Sequence, residues 1–495
     1  MGAVEGEVEL CRSEVALARI DPATGVLHEP GHPLDGRCLA GKVLVCLGGK
    51  GSSSGSYVLL NLARRGLAPA AILVKRADAV LTAGAVLADI PLEQGVDPAT
   101  FDSKRKVAVK APARREGSLA RRILEAVGEA QGATGMIPVA STHVGLSLSS
   151  LGEAGVELLE SLATEGVRFA VPTTTNVLSF ERTDKASVDA RLQRRALDAL
   201  VAMGARANCS CNPFAEGYAP RRGEAVAWSE SATAPFVNGV LGARTNREGA
   251  TALASAIAGV TPRYGMHLDA GRTGAALFQV SAKLDSLARF QLLGAAVARR
   301  HGSGVPVLAG LQGPLRRDWL YGLSAALAAH STAAMFHVVG VTPEAPDIAS
   351  VFPQGVPEAI VIGERELELE QARWAAPAAP PEYVVIGCPH ASLEQISELA
   401  RLLEHVRVRK ETQFLVHTSH DIRERARSRN DLGVLERAGV RVTADTCMYV
   451  SLERYPAGAT VLTDSAKMAF LMSTRGLRAA LADIRSIVNL TGRIA

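Results

Sequence analysis

The chain has 495 residues, of which 47% are hydrophobic, 21% charged and 4% aromatic, with a formal net charge of +4. This length exceeds a single core and predicts two or three domains, and the balance of apolar and charged residues excludes a disordered chain. So small a charge with so few aromatics excludes a nucleic-acid surface. No apolar run approaches the length of a membrane span, and Met1 to Arg12 has neither the basic start nor the apolar core of a secretory signal. Seven cysteines, an odd number without regular spacing, predict free thiols in a reducing, cytoplasmic compartment.

The first unit runs from about Glu7 to Pro112. At its centre Lys42 to Leu47 predicts a strand, the following glycines and serines a loop, and the segment to Arg65 a helix with Leu59, Leu60 and Leu62 on its apolar side. A strand feeding a glycine loop and a helix N-terminus aims backbone N–H groups and the positive end of the helix dipole at one spot, where anions bind. Lys50 precedes the serines and is followed by Gly51, unlike the lysine of a nucleotide-binding Walker loop. A plain serine-capped helix is the alternative, although Ser52, Ser53 and Ser54 are more than a cap requires. Ala70 to Leu73 and Val80 to Ile90 complete a small β-rich domain, and Cys46, inside the strand, reads as a buried packing thiol.

The charged segment Phe101 to Glu116 reads as a tethered linker. An amphipathic helix begins at Ser118, with Leu119, Ile123 and Val127 four apart. The strand Met136 to Ala140 ends at Ser141-Thr142-His143; after a helix near Glu157, Val167 to Val171 runs into Pro172-Thr173-Thr174-Thr175-Asn176. This rhythm predicts a doubly wound α/β architecture with ligands beyond the carboxyl ends of the strands. His143 and Asn176 are candidates there, with a core histidine and a turn or N-cap asparagine as the alternatives.

From Asn208 to Gly249 the chain is polar and glycine-rich, as a pocket lining is: it holds Cys209, Cys211, the run Trp228-Ser229-Glu230-Ser231, and Arg244 with Arg247. The two arginines suit carboxylate recognition or solvated ion pairs, and Glu230 suits acid–base work or the orientation of a ligand. The Pro-rich stretch at 376–382 marks an internal boundary. Beyond it a strand-loop-helix device occurs three times. Tyr383 to Gly387 feeds Cys388-Pro389-His390, ahead of a capping box at Ser392 and Gln395; Val440 to Ala444 feeds Asp445-Thr446-Cys447; Thr460 to Leu462 feeds a loop with Ser465 and Lys467. A thiol at a strand end facing a helix N-terminus has its thiolate favoured. Cys211, Cys388 and Cys447 are too far apart in sequence to display a metal spacing, so isolated thiols and a shared metal site both stay open.

Taken together these runs resemble the aconitase X family. Its central signature, a Cys-Thr-Pro-Tyr turn, a Trp-x-Glu-Ser run and Gly-Ala-Arg-Thr-Asn-Arg-Glu-Gly, falls on Cys211 to Phe214, Trp228 to Ser231 and, unbroken, Gly242 to Gly249. Its small-domain signature, Gly-Arg-Gly-Ser-Ser-Ser-Gly-Ser, falls on the serine loop with Lys50 for the arginine, followed by Pro69-Ala70-Ala71 and Gly84 to Pro91. Further segments of the family match at His143, Asn176, His267, Cys388, Cys447 and the pair Ser465 and Lys467. Departures stand at Asn212, Phe214, Thr233, Pro235, Phe236 and Gly239.

The resemblance implies an α/β, aconitase-like fold, with a small β-rich swivelling domain at 1–112 and a large multi-layer α/β catalytic region at 113–495, divided internally near 376–382. It implies a hydro-lyase with an iron-sulfur cluster on Cys211, Cys388 and Cys447, Cys209 being the competing thiol of the Cys-Ser-Cys pair. Ser52, with Ser53 second, would be the catalytic base, and Glu230 and Lys467 further catalytic groups. Lys50, Ser54, His143, Asn176, Arg244, Arg247 and Ser465 would bind substrate. The fused form in the family is associated with dehydration of cis-3-hydroxy-L-proline to Δ1-pyrroline-2-carboxylate, and a two-subunit form with mevalonate 5-phosphate. This fused chain is expected to do the former, with another small hydroxy acid, or a non-catalytic iron-sulfur sensing protein, as the alternatives. A small-molecule substrate is the partner implied, without nucleic acid or membrane, and a monomer is the expected state.

Overall fold

Val43–Cys46 is fully buried, as an unbroken apolar run must be when both faces of its sheet are covered. It is the central strand of a five-stranded sheet in the order Leu92–Gln94, Ala71–Val74, Val43–Cys46, Ala3–Leu10, Lys106–Lys110. The first four strands run parallel, and the last is antiparallel to its neighbour. The computed structural model describes residues 3–52, 54–103, 105–110, 116–184, 187–375, 379–451 and 455–494.

Two expectations for this unit are corrected. Val80 to Ile90 supplies no strand: Ala79–Leu87 is a helix, because Asp78 caps it, its carboxylate accepting from the Leu81 N–H at 2.6 Å. The stretch read as a linker contains the edge strand Lys106–Lys110, paired from Ala3↔Lys110 to Glu7↔Lys106. Its alternating lysines face solvent and Val109 faces the core, which is how an edge strand avoids further pairing.

The helices Gly55–Arg64 and Ala79–Leu87 join this unit to the rest of the chain. Tyr57, Leu60, Ala79 and Ala83 share one apolar cluster with Ile123, Val127, Leu151 and Leu253. Asn61 fixes the joint, donating to Leu151 O at 2.6 Å and accepting from Ala154 N at 3.1 Å. The long helix Leu148–Thr164 is broken at Gly152, whose φ of 62° admits the asparagine; a Cβ there would collide with it.

Three parallel sheets build the large region, beside two antiparallel pairs, Met136–Pro138 with Val260–Pro262 and Val406–Val408 with Gly492–Ile494. The first has the short parallel strands Thr173–Thr175, Thr142–Val144 and Ala227–Trp228. Here the polar residues expected at strand ends are themselves the strands: threonine suits the pleated backbone, and the buried hydroxyls satisfy each other, Thr142 Oγ1 lying 2.8 Å from Thr173 Oγ1. The second sheet, His337–Val338, Pro306–Ala309, Ala276–Val280 and Ala359–Ile362, is parallel and accompanied by the packed helices Leu287–His301 and Arg317–His330. The third is five parallel strands in the order Val440–Ala444, Gln413–Thr418, Tyr383–Ile386, Thr460–Thr463, Arg478–Leu481, with apolar clusters on both faces. Two of the three expected strand-loop-helix passages occur here, Tyr383–Ile386 leading to the capping box of Leu393–Leu402 and Thr460–Thr463 to the helix Ala466–Ser473; the third is corrected, since among the described residues the Cys447 loop runs from Val440–Ala444 to the strand Thr460–Thr463 with no helix between. Among the described residues no helix is long and apolar enough to cross a membrane.

Candidate active site

A cavity of about 680 Å³ lies where the small unit faces the three large-region sheets. Ser52, Ser54, Lys50 and Glu29 line it from the small unit. Opposite them stand Cys211, Cys388 and Cys447, with Glu230, Arg247 and Lys467.

The sheet topology explains how three distant thiols converge. Cys388 follows the carboxyl end of Tyr383–Ile386, and Cys447 that of Val440–Ala444, two parallel strands of one sheet. Cys211 comes from the loop before the short turn Pro213–Glu216. All three are free thiols. Burial pushes each one up, Cys388 to about 12, and the nearby Glu230 carboxylate adds to this while Lys467 opposes it. Among the described residues no three His, Cys, Asp or Glu side chains gather as they would around a single ion. Cys209, at φ 49°, points away from the cavity into the core, where Thr175 bonds its backbone N–H at 3.1 Å.

His390 ties the thiol loops together. Its backbone N–H donates to Cys211 Sγ at 3.2 Å, its Nδ1 lies 3.3 Å from Ser210 Oγ, and its Nε2 lies 3.1 Å from Thr446 O. One ring therefore touches the residues beside Cys211 and Cys447 while its backbone follows Cys388 by two positions. Burial pulls its pKa down to about 4, so the ring is neutral. His390→Leu keeps the bulk but strands the Thr446 carbonyl and the Ser210 hydroxyl. It is expected to cost about 1–3 kcal/mol, read as a lower urea midpoint.

Behind the thiols Glu230 and Lys467 form an ion pair, Nζ to Oε1 at 3.1 Å, each side chain 16% exposed. Asn176 donates to Glu230 Oε2 at 2.7 Å and Ala232 N to Oε1 at 3.1 Å. Burial raises the Glu230 pKa, but the Lys467 charge and these two donors outweigh it and hold the group at about 2. Glu230 is thus held as a carboxylate at neutral pH, bonded to Lys467 and Asn176. Lys467 is shifted upward, since the attraction of Glu230 and the thiols exceeds the burial penalty, and it stays charged.

The arginines separate. Arg247 lines the cavity and donates to Ser331 O at 2.8 Å. Arg244 does not reach it, contrary to expectation; it bonds Asp269 and, at 3.0 Å, the His267 carbonyl. His143 also falls short: it is buried in its strand, Nδ1 2.8 Å from Thr174 Oγ1 and its ring 5.3 Å from that of Trp228, and burial lowers its pKa to about 4. Ser465 sits behind the wall as the cap of the helix Ala466–Ser473, bonding Gln291 Oε1 at 3.1 Å. In the serine loop, Ser52 Oγ accepts from the Ser54 hydroxyl at 3.1 Å and the Ser54 N–H at 3.3 Å; Ser53 lies outside the described residues.

Sequence models of the four aconitase X domains match the chain from end to end: the swivel domain at 1–117, the first domain at 102–270, the second at 274–372 and the third at 381–493. The chain belongs to the aconitase X family. A cis-3-hydroxy-L-proline dehydratase from Pseudomonas aeruginosa is 31% identical over 91% of this chain and 87% of its own length. The phosphomevalonate dehydratase large subunit of Thermococcus kodakarensis is 31% identical over 74% of this chain and 94% of its own. The crystal structure of Thermococcus kodakaraensis aconitase X in its holo-form superposes with a TM-score of 0.70 at 30% identity, covering 75% of this chain and 94% of that one. This aconitase X is accordingly an α/β enzyme of the hydro-lyase class with a small-molecule substrate.

Its departures from the family pattern lie mainly behind the Cys211 loop. Phe214 stacks on Phe236 with ring centroids 4.5 Å apart and meets Tyr321 edge-on at 4.7 Å. Tyr321 in turn donates to the Cys211 carbonyl. Gly239 is required by a close approach, since a Cβ there would collide with the Phe336 carbonyl oxygen. Three residues of the site escape sequence reading. Tyr321 and Gln291 come from the helices Arg317–His330 and Leu287–His301, and Gln291 bonds Ser465 and, at 3.5 Å, the Cys388 carbonyl. A lone glutamine on the buried face of an Ala- and Leu-rich helix was the available signal. Glu29 stands in a loop without a motif.

Proposed function

We propose that this aconitase X dehydrates cis-3-hydroxy-L-proline to Δ1-pyrroline-2-carboxylate. The observation that carries the reading is the fusion: one chain holds both the serine loop and the thiols, and it is colinear with the hydroxyproline-dehydratase relative over 91% of its length. Three free thiols that face one cavity are the soft donor set an iron-sulfur cluster takes. Cys211, Cys388 and Cys447 would hold that iron-sulfur cluster. When bound it supplies a Lewis acid for the departing C3 hydroxyl.

The chain's own groups handle the proton and the charge. Ser52 removes the C2 proton. Its alkoxide is favoured by the Ser54 hydroxyl and N–H, by the N-terminus of the helix Gly55–Arg64, and by Lys50 on the same loop. The electrons of the C2–H bond move into the developing enolate, whose carboxylate Arg247 and Lys467 hold. The C3–O bond then breaks, and the resulting enamine tautomerises to the cyclic imine. Facing walls from the small unit and the large region keep bulk water away from this intermediate.

Holoprotein supplied with cis-3-hydroxy-L-proline is expected to release the C2 proton to solvent and to yield a product that a reductase converts to proline. Ser52→Ala should lower kcat by about 10²-fold or more with iron content unchanged. Turnover of mevalonate 5-phosphate, with the cis-3 isomer inert, overturns the substrate; a change confined to KM makes the loop a carboxylate cradle instead.

A further inference from the structure

Five basic side chains, Arg19, Lys50, Arg247, Lys467 and Arg475, line the cavity against two carboxylates, Glu29 and Glu230. The basic excess suits an anionic substrate, but it leaves unexplained why a carboxylate stands on the small-unit wall. Glu230 is accounted for, with Lys467 and Ala232 N on Oε1 and Asn176 on Oε2. Glu29 is not. Its Oε1 lies 2.6 Å from Lys50 Nζ and its Oε2 accepts from Ala16 N at 3.1 Å. A carboxylate has about four acceptor sites, so these two contacts leave acceptor capacity on a side chain that lines the cavity. The backbone behind it is fixed as well, Glu29 N donating to Asp35 Oδ1 at 2.8 Å.

We propose that Glu29 reads the ring ammonium of the substrate and is the residue that selects a cyclic amino acid over a phosphorylated hydroxy acid. The inference rests on the hydroxyproline reading. In that substrate the carbon that loses its proton carries both the carboxylate and the ring nitrogen. A base delivered by Ser52 therefore brings the small-unit wall to the nitrogen side, where Glu29 accepts a charge-assisted hydrogen bond from N–H₂⁺. Arg247 and Lys467, on the opposite wall, take the carboxylate. A phosphorylated hydroxy acid has no cation to offer Glu29, and its two anionic ends would meet a fixed negative charge there.

The test uses holoenzyme and two non-reacting ligands: L-proline, and cyclopentanecarboxylate, which has the ring and carboxylate but no nitrogen. Glu29→Gln preserves an acceptor for Ala16 N while removing the charge. It is expected to weaken inhibition by L-proline about tenfold or more and to leave cyclopentanecarboxylate unchanged, which also shows that the variant folds. Lys50→Met, which frees Glu29 from its ion pair, is expected to tighten L-proline. Equal weakening of both ligands by Glu29→Gln would reduce Glu29 to a support for Lys50 and overturn the inference. So would no change in either ligand. If cis-3-hydroxy-L-proline still turns over in those cases, only the role of Glu29 falls. If wild-type holoenzyme neither turns it over nor binds L-proline, the substrate reading falls and takes that role with it.

Discussion

Cys211→Ala, Cys388→Ala and Cys447→Ala, each purified anaerobically, are expected to be colourless and inactive, whereas Cys46→Ala keeps both iron and activity. The three thiols stand on separate loops that converge on one cavity. Cys46 is buried in the small unit's sheet, in an apolar cluster with Cys11. Burial pushes the cavity thiols up, Cys388 to about 12, so in the apoprotein they are protonated at neutral pH. A metal must displace those protons, and each lost thiolate removes a large share of the binding energy. Iron per protein and visible absorbance measure the outcome directly. Equal iron in all four variants would end the assignment. A chelator that strips iron should abolish turnover without lowering helix content, because in the apoprotein His390 and Tyr321 still bond the thiol loops.

The third sheet was legible because its active loops follow short apolar strands and two of them precede a capped helix, and that punctuation is local. Ser392 with Gln395 and the strand Val440–Ala444 could be read directly. The first sheet misled for a physical reason. Its strands are two or three residues long, and the apolar residues flanking them, Val167 to Val171 among them, outweigh Thr173–Thr175 in any count of hydrophobic periodicity. The threonine hydroxyls pair across strands, and a sequence does not show that compensation. Arg244 and Arg247 illustrate a second limit. Three residues apart in an irregular segment, they leave in different directions, one to Asp269 and one to the cavity. On the Ala- and Leu-rich helices that supply Gln291 and Tyr321, the lone buried glutamine is the local hint of a contact to the thiol loops, whereas Tyr321 reads as one more core aromatic.

Lys467→Met is expected to cost about 3–5 kcal/mol of stability, together with activity, because it leaves Glu230 charged in a buried site. The double variant Lys467→Met/Glu230→Gln should recover much of that stability and none of the activity, since desolvation then has no bare charge to penalise. The pH dependence follows from the same pair. In the native protein burial raises the Glu230 pKa, yet Lys467, Asn176 and Ala232 N together hold it at about 2, against an ordinary 4.5. A group depressed by folding contributes fully above its unfolded value, so this contribution is complete above about pH 4.5 and fades as the pH falls toward 2. In Lys467→Met the main opposing charge is gone and burial dominates, so the carboxylate of the folded variant titrates higher than before. Its penalty is then largest at neutral pH and is relieved by acid. Urea midpoints of wild type and Lys467→Met should therefore differ most near pH 7 and converge as the pH drops through 4.5 toward 2. A gap that stays constant over that range would mean that Glu230 is not the charged partner of Lys467, and would remove its role in orienting the lysine toward substrate.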